Sequence, residues 1–293
     1  MELVNCFESE GRWFKANLHC HTTTSDGDCS LAERVEQYRG QGYAILAVTD
    51  HFETNDVGGL STDDFLVISG MELHPVCPDR GDNYHLVALN VPVGFEDPTP
   101  AEANKCIEMV RQAGGEVMVA HPYWCGHNIN HLLNLNGFIA VEVFNSTCAF
   151  NGKGCSSVQW DDLLDAGRVI PAVGVDDVHS TERRDIFRGW TMIRARELTV
   201  DAVMAAMRSG CYYSSCGPVI EDFRVVDGMA KVKCSGAVEI RLISQTSSGR
   251  AFFADDGELL TSAQREVDDS LKYVRVEVVD DKGLQARGNP IML

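Results

Sequence analysis

Short apolar runs alternate with helix-forming segments through the first two thirds of the chain, and this alternation restricts the fold more than any other feature of the sequence. The runs are bounded by Gly, Asp or Pro, a pattern typical of buried strands in a mostly parallel sheet. They lie at residues 14–18, 44–49, 65–69, 85–91, 116–120 and 169–175.

The segments between these runs carry helix start and stop signals. Ser30 and Glu33 form a capping-box pattern, and Gly40 or Gly42 would end that helix. Further helices are predicted for residues 100–113, 157–166 and 199–208, each followed closely by a glycine. The alternation through residue 210 predicts an α/β protein, either a β/α barrel or an open α/β sheet.

The sequence changes in character after about Pro218. Short β-rich segments follow, separated by Gly, Asp and Ser, and none has a helical period. We therefore predict a first domain over residues 1–218 and a small β-sandwich-like module over residues 219–293. Its acidic loops lack EF-hand spacing and are predicted to be a solvated surface rather than a calcium site; they contain Asp255, Asp256, Asp280 and Asp281.

Charge and cysteine content exclude several functional classes. The 293 residues include 25 Lys and Arg against 43 Asp and Glu, a net charge of -18. A surface this acidic repels phosphate backbones, so no long nucleic acid is expected as a partner. The 11 cysteines are scattered without a C-x-x-C pair, which favours buried thiols over disulfides or a thiolate zinc site.

The N-terminal segment lacks a signal peptide, and no run of 18 apolar residues occurs. A cytoplasmic protein without a membrane partner is therefore expected. The β-rich C-terminal segment would offer strand edges that can pair, which leaves a homodimer open.

Histidines and acidic residues stand where the predicted strands meet their loops. In a β/α barrel such loops form one mouth, so residues distant in sequence would converge there. His19 and His21 are two apart on a strand, share a face, and can bind one ion together. His85 precedes its apolar run, so we expect its strand to present it differently. The other residues expected near the mouth are Asp26, His51, Glu72, His121, Asp177 and His179.

These nine imidazole and carboxylate groups exceed what a single tetrahedral zinc ion needs. Burying so many of them unpaired would cost several kcal/mol in sum. Two or three divalent ions fit better than one, and nitrogen and oxygen donors suit Zn, Mn or Fe.

Several polar residues lie close in sequence to these predicted ligands. His74 could share the strand face of Glu72, whereas His127 and His131 lie in a Gly/Asn-rich loop and are predicted to be loop polar residues. Asp50 and Asp176 adjoin predicted ligands and could support an imidazole.

Asp177 is preferred to Asp176 as a ligand. The D-x-H spacing places Asp177 on the same face as His179, and adjacent side chains on a strand point to opposite faces.

The ordered series of motifs resembles the PHP (polymerase and histidinol phosphatase) family over roughly residues 12 to 215. The motifs are H-x-H at 19–21, SDG at 25–27, TDH at 49–51, GMEL at 70–73, AHP at 120–122 and D-x-H at 177–179. This resemblance implies a distorted, TIM-like β/α barrel of seven strands with a trinuclear metal centre. The C-terminal segment, with CGP at 216–218 and NPI at 289–291, resembles the appended module of the CehA/McbA-like branch.

The same resemblance implies which residues hold each ion. The first metal would be held by His19, His21, Glu72 and Asp177. Glu72 would bridge to a second metal bound by His85 and His121. The third metal would be held by Asp26, His51 and His179.

Such a site predicts a metal-dependent phosphoric ester hydrolase (EC 3.1 type). Three divalent ions outweigh the charge of three carboxylates, so the site would attract a compact anion such as a small phosphate mono- or diester. A metal-activated hydroxide would attack it, and no serine or cysteine nucleophile is required. Arg183 and Arg184 could clamp the phosphate by bidentate hydrogen bonds.

Two alternatives stay open. The same Lewis-acid site could hydrolyse a carbamate, an amide or a carboxylic ester, as the resemblance of the C-terminal segment suggests. The chain could also be a non-catalytic metal-binding module in which the barrel is only a scaffold.

Overall fold

A computed structural model gives the fold of residues 3–78, 82–182 and 185–293. Arg183 and Arg184 lie outside these described residues, so their role as a phosphate clamp stays a prediction. No helix in the described part of the chain is long and apolar enough to cross a bilayer.

The helices follow the capping signals of the sequence. Ser30 caps the first helix through the complete capping box with Glu33, and Thr199 caps the last, which ends at Gly210 with φ 71°. The helices are α1 (Leu31–Arg39), α2 (Ala103–Gln112), α3 (Ile129–Leu133), α4 (Ser146–Ala149), α5 (Ser157–Asp165) and α6 (Val200–Ser209).

Helix α2 begins three residues after the predicted start at Pro100. The N–H of Ala101 donates to the carbonyl of Pro98, and this turn occupies the expected first helical residues.

The strands before residue 219 are short and mostly buried. They are β1 (Arg12–Asn17), β2 (Ile45–Val48), β3 (Leu66–Leu73), β4 (Val76–Cys77), β5 (Asp82–Asn83), β6 (Leu86–Leu89), β7 (Glu116–Val119), β8 (Ala140–Asn145), β9 (Ala172–Val175), β10 (Trp190–Ala195) and β11 (Tyr212–Ser215). The later strands are β12 (Ile220–Val226), β13 (Met229–Ala237), β14 (Glu239–Ile243), β15 (Gly249–Phe253), β16 (Leu260–Glu266), β17 (Tyr273–Val279), β18 (Gln285–Gly288) and β19 (Ile291–Met292).

One large mixed sheet dominates this α/β protein. Its order is β15-β14-β17-β18-β11-β10-β1-β2-β3-β6-β7-β8-β9, and β19 pairs with β17. The expectation of a mostly parallel sheet is only partly met. Strands β1, β2 and β3 are parallel to one another, and so are β7, β8 and β9, but β6 is antiparallel to both of its neighbours.

The reversed direction of β6 explains the unusual position of His85. Because β6 runs opposite to β3 and β7, its beginning lies at the same end of the sheet as their C-terminal ends. His85 precedes this strand and therefore reaches the end of the sheet where the other predicted ligands lie.

Two hydrogen bonds of one side chain connect β9 to β10, the strand that pairs with β1. Gly174 in β9 donates its N–H to the hydroxyl of Thr191 in β10 over 3.2 Å, and that hydroxyl donates back to the Gly174 carbonyl over 2.9 Å. Backbone pairing does not join β9 to β10 or β11 in the described chain. The closed seven-stranded barrel therefore stays a prediction.

The C-terminal strands form two layers. Strands β14, β15, β17 and β18 extend the large sheet, and β12, β13 and β16 form a separate three-stranded sheet. A single apolar cluster includes Ile193 and Tyr212 from the first part of the chain together with Phe223 and Val276 from the second. The domain division at Pro218 stays a prediction.

A buried arginine joins the two parts. Arg275 on β17 donates two 2.7 Å hydrogen bonds to the carboxylate of Asp161 on α5 and one of 2.8 Å to Glu277. Its guanidinium also lies 4.7 Å from the ring centroid of Trp160. This bidentate ion pair fixes helix α5 against the C-terminal strands.

The ion pairs of Glu277 predict an acid-sensitive contribution to stability. Burial opposes ionisation, but Arg275 and Arg287 hold the pKa of Glu277 below its ordinary value of 4.5. A lowered folded-state pKa means that the carboxylate stabilises the fold above pH 4.5 and loses this effect as the pH falls through the folded-state pKa. We expect Glu277→Gln to lower the free energy of unfolding at pH 7, and the difference from the wild type to shrink as the pH falls below 4.5. Urea unfolding of both proteins at several pH values would measure this, and a difference independent of pH would contradict it.

Candidate metal centre

The predicted ligands converge at one end of the sheet. Asp26, His51, Glu72, His85, His121, Asp177 and His179 line a cavity of about 410 Å³. His19 and His21 lie beneath it, fully buried. Parallel bridges between Cys20 and Val178 and between His51 and Glu72 hold these loops together. Residues separated by up to 160 positions in the chain thus meet in one place.

The innermost donors have the spacing of a tetrahedral cation site. Asp177 Oδ1 lies 3.2 Å from His19 Nε2 and 3.0 Å from His21 Nε2. Glu72 Oε2 lies 3.3 Å from His19 Nε2 and 3.5 Å from His21 Nε2. Donors about 2.1 Å from a tetrahedral ion are separated by about 3.4 Å. The four groups predicted to hold a first ion therefore fit one.

The other oxygen of Glu72 faces a second group. Glu72 Oε1 lies 2.7 Å from His85 Nδ1 and 3.6 Å from His121 Nε2. His121 Nε2 is also 3.7 Å from Asp177 Oδ2. Cys125 adds a thiol 3.4 Å from His121 Nδ1, a neighbour that the sequence reasoning did not include.

A third group lies nearer the solvent. Asp26 Oδ1 is 3.6 Å from His51 Nε2, and Asp26 Oδ2 is 3.5 Å from His179 Nε2. His21 also belongs to this group, since its Nδ1 is 3.6 Å from Asp26 Oδ1. His21 therefore has one nitrogen toward each of two donor groups.

The carboxylates are anionic at neutral pH, as cation ligands must be. Burial disfavours their charge, but the surrounding imidazoles hold the pKa of Glu72 and of Asp177 well below the usual range. Burial is the largest single effect on Asp26 and raises its pKa, but hydrogen bonding from His51 and the charges of His179, His21 and His51 together lower the pKa to about 2. Burial likewise opposes protonation of His19, yet Asp177, Glu142 and Glu72 raise its pKa well above the ordinary value.

The backbone at two of these residues is strained. His121 has φ 25° and Asp177 has φ 54°, conformations that non-glycine residues rarely adopt. Such strain is maintained only where the surroundings fix it, and it concentrates at functional sites. In the SDG motif, a Cβ on Gly27 would lie 2.6 Å from the carbonyl of His21, so only glycine allows this loop to approach.

Glu142 is the main site residue that sequence reasoning missed. It lies fully buried in β8, and its Oε1 accepts from His19 Nδ1 over 2.7 Å while its Oε2 accepts from the N–H of His121 over 3.0 Å. Asn145 donates to both Glu142 and Asp177. The available signal was a charged residue inside an apolar strand, which is costly without a partner.

The carboxylates expected to support an imidazole have other partners. Asp50 accepts hydrogen bonds from Thr22, Ser25 and Asn55, and so holds the loop that carries Asp26. Asp176 accepts from the Tyr38 hydroxyl and from the backbone N–H groups of residues 187–189. Both residues organise loops rather than an imidazole.

The remaining histidines divide into two sets. His74 belongs to the site, with Nε2 3.5 Å from Glu72 Oε1 and its ring stacked 3.8 Å from that of His85. His131 accepts from the N–H of Asn128 as part of the α3 cap, and His127 packs near Tyr84. Both side chains are buried and His131 lies within α3, so the expected exposed loop position is not found, and the prediction that these two residues are not ligands stays a prediction.

No family model matches the chain. Its fold is similar over 100% of its length to 98% of a two-domain protein from Bacteroides vulgatus that contains a predicted PHP-like metal-dependent phosphoesterase, with a TM-score of 0.54 and 16% identity. A curated 5'-3' exoribonuclease from Haemophilus influenzae is 34% identical over 83 residues, which are 26% of this chain and 28% of that protein. The chain thus spans less than a third of the relative that it matches.

A more distant neighbour corrects one prediction. Endonuclease Q, solved in complex with a 27-mer duplex substrate that has an abasic lesion at the active site, matches 67% of this chain and 57% of its own, with a TM-score of 0.47 and 14% identity. The exclusion of long nucleic acids as partners is therefore wrong. Net charge describes the whole surface, whereas a polyanion responds to the local charge of the site.

These comparisons concern the architecture. The match over the whole chain is to a protein that contains a predicted PHP-like metal-dependent phosphoesterase, and at 16% identity it shows a shared fold. The fold is the one found in PHP-like metal-dependent phosphoesterases, as the ordered motif series predicts, whereas the CehA/McbA-like branch stays a prediction.

Proposed function

We propose that this protein is a metal-dependent hydrolase of phosphoric esters. The observation that carries the proposal is the set of four donors from His19, His21, Glu72 and Asp177, whose 3.0–3.5 Å separations match the edges of a tetrahedral cation site. A structural role for these residues would not require so many buried ionisable groups around one cavity.

The donor chemistry supports two or three divalent ions. Glu72 would bridge the group containing His19 and His21 to the group containing His85 and His121. The third group consists of Asp26, His51 and His179. Divalent cations held by these residues would supply Lewis acidity toward water, the phosphate and the leaving oxygen.

The protein's own contribution is orientation. Glu142 fixes the ring of His19 through its Nδ1 and leaves Nε2 facing Glu72 and Asp177. Asn145 holds the carboxylates of Glu142 and Asp177 together from below. Trp124 and Phe150 line the cavity beside the donors and supply apolar walls that limit the access of bulk water.

A metal and substrate panel tests this function. Protein stripped of metal and reloaded separately with Mn, Zn or Fe would be assayed with an aryl phosphate, a diaryl phosphate, a nucleotide and a short oligonucleotide. We expect metal-dependent hydrolysis of at least one of them. Preferential turnover of an aryl carboxylic ester in the same panel would favour the alternative bond type, and no turnover with metal bound would contradict an enzymatic role.

The position of Glu142 predicts a graded loss of metal affinity. Glu142→Gln keeps the size of the side chain but weakens the hold on His19. Loss of such outer-shell carboxylates typically costs about 10–100-fold in metal affinity or activity. Metal titration followed by calorimetry would measure the affinity. Glu142→Asp is the matched comparison, since it keeps the charge and moves the oxygens, and an unchanged affinity in Glu142→Gln would contradict this role.

A further inference from the structure

A second cavity adjoins the candidate metal centre. It has a volume of about 780 Å³ and lies across helix α4 from the first cavity. Ser146 and Ala149 of this helix line the second cavity, whereas Thr147 and Cys148 line the metal cavity. Phe150, which follows the helix and is half exposed, lines both. A molecule bound at the donors could therefore extend past Phe150 into the second cavity.

The walls of this cavity suit a flat ring. Phe144, Phe150, Phe187 and Trp190 contribute aromatic side chains, and most of the lining is apolar. Its volume is within the range of sites for small organic ligands, roughly 300–1,000 Å³. Aromatic walls bind planar rings by stacking without requiring a particular hydrogen-bond pattern.

The charged residues of the cavity are cationic. Arg188, Lys282 and Arg287 line it, and no carboxylate does so within the described residues, although the chain as a whole has a charge of -18. Arg287 donates hydrogen bonds to Gln285 and Cys155, and its Nε lies 3.6 Å from Glu277 Oε1. Arg188 and Lys282 are exposed and have no ion pair in the described part of the chain. The carboxylate of nearby Asp280 accepts from the N–H groups of Lys282 and Leu284.

We propose that this cavity binds a nucleotide unit of the substrate, with the base among the aromatic side chains and an anionic group at Arg188 and Lys282. The proposal rests on the proposed function, since it assigns the group that accompanies the scissile ester. Aromatic side chains bind the ring, and the two cationic side chains bind the phosphate. A ring that carries a phosphate should therefore bind more tightly than the unphosphorylated ring or inorganic phosphate.

A binding experiment without metal isolates the second cavity. In metal-free protein the carboxylates of Asp26, Glu72 and Asp177 repel anions from the first cavity. Adenosine 5′-monophosphate would be titrated calorimetrically into this protein, with adenosine and inorganic phosphate as single-feature probes. We expect the nucleotide to bind most tightly. The double variant Arg188→Glu and Lys282→Glu should weaken it about tenfold or more, with little effect on adenosine.

The matched control carries the same charge change elsewhere. Lys231 and Lys233 are exposed on β13, outside both cavities, and Lys231→Glu with Lys233→Glu should leave nucleotide binding within twofold. Equal losses in the two double variants would show a general charge effect and overturn the proposal. Nucleotide binding that survives the Arg188 and Lys282 reversal would also overturn it.

Enzyme kinetics provide a second, independent test of the proposal. For metal-loaded protein, kcat/KM would be compared for p-nitrophenyl phosphate and for a p-nitrophenyl ester of thymidine 5′-monophosphate that carries a second, non-scissile phosphate at its 3′ position. In the double variant Arg188→Glu and Lys282→Glu, we expect kcat/KM to fall about tenfold for the thymidine ester and to stay unchanged for p-nitrophenyl phosphate. An equal loss of kcat/KM for both esters would overturn the proposal. If the wild type hydrolyses neither ester, the proposed function is contradicted. If the double variant still weakens nucleotide binding in that case, the assignment of a nucleotide site to the second cavity is retained.

Discussion

Replacing Glu72 with glutamine is expected to remove most of the bound metal and to lower phosphoester hydrolysis by on the order of 10³-fold or more, because several kcal/mol of transition-state stabilisation come from the cations. Each carboxylate oxygen of Glu72 faces a different donor group, Oε2 toward His19 and His21 and Oε1 toward His85. Glutamine keeps one weak oxygen ligand and places an NH₂ group where the other carboxylate oxygen would hold a cation. Elemental analysis and turnover of the same preparation would measure both effects.

Glu116→Gln is the matched control for this substitution. Glu116 is also a buried glutamate of the sheet, but it begins β7 and pairs with Arg111 and Arg208 away from the metal cavity. The metal content and turnover of the Glu116→Gln protein should stay at the wild-type level. A Glu72→Gln protein that folds, retains its metal and remains fully active would contradict the bridging role.

Replacing Arg275 with methionine is expected to have the largest effect on stability, a loss of about 3 kcal/mol, since breaking a buried ion pair leaves Asp161 without its guanidinium partner. Glu277 would keep Arg241 and Arg287, and Asp161 is 33% exposed, which places the loss at the lower end for buried pairs. Arg275 is 1% exposed and binds Asp161 bidentately while also donating to Glu277. Methionine fills a similar length but cannot pair with either carboxylate. Urea or thermal unfolding monitored by circular dichroism would measure the change.

Arg224→Met provides the comparison for an exposed pair. Arg224 binds Asp222 on the same strand, and its side chain is 38% exposed. Its loss should cost no more than about 1 kcal/mol. If Arg275→Met and Arg224→Met lower the free energy of unfolding by similar amounts, the ion pair of Arg275 with Asp161 contributes no more to stability than an exposed pair.

The sequence predicted the local features that depend on short-range chemistry. The capping box at Ser30 and the cap at Thr199 define α1 and α6 because hydroxyl and carboxylate side chains satisfy the free N–H groups of a helix start. The convergence of the predicted ligands also followed from their position at strand ends. Their place in the sequence was enough to predict that they meet at one end of the sheet.

The direction of one strand and several side-chain contacts between distant parts of the chain could not be predicted from the sequence. The antiparallel direction of β6 depends on its pairing with β3 and β7, which a short apolar run does not encode. Glu142 was missed because its value lies in a contact with His19 more than a hundred residues away. The partners of Asp50 and Asp176 differ from expectation for the same reason, since adjacency in sequence to a ligand does not establish adjacency in space.

The extension of the large sheet from the donor residues to β15 has a thermodynamic consequence. Because strands on both sides of Pro218 share one apolar cluster, cation binding would stabilise more of the chain than the loops that hold the donors. The distant hairpin of β14 and β15 would then become harder to unfold whenever the pocket fills, and cation supply would set the lifetime of the entire polypeptide.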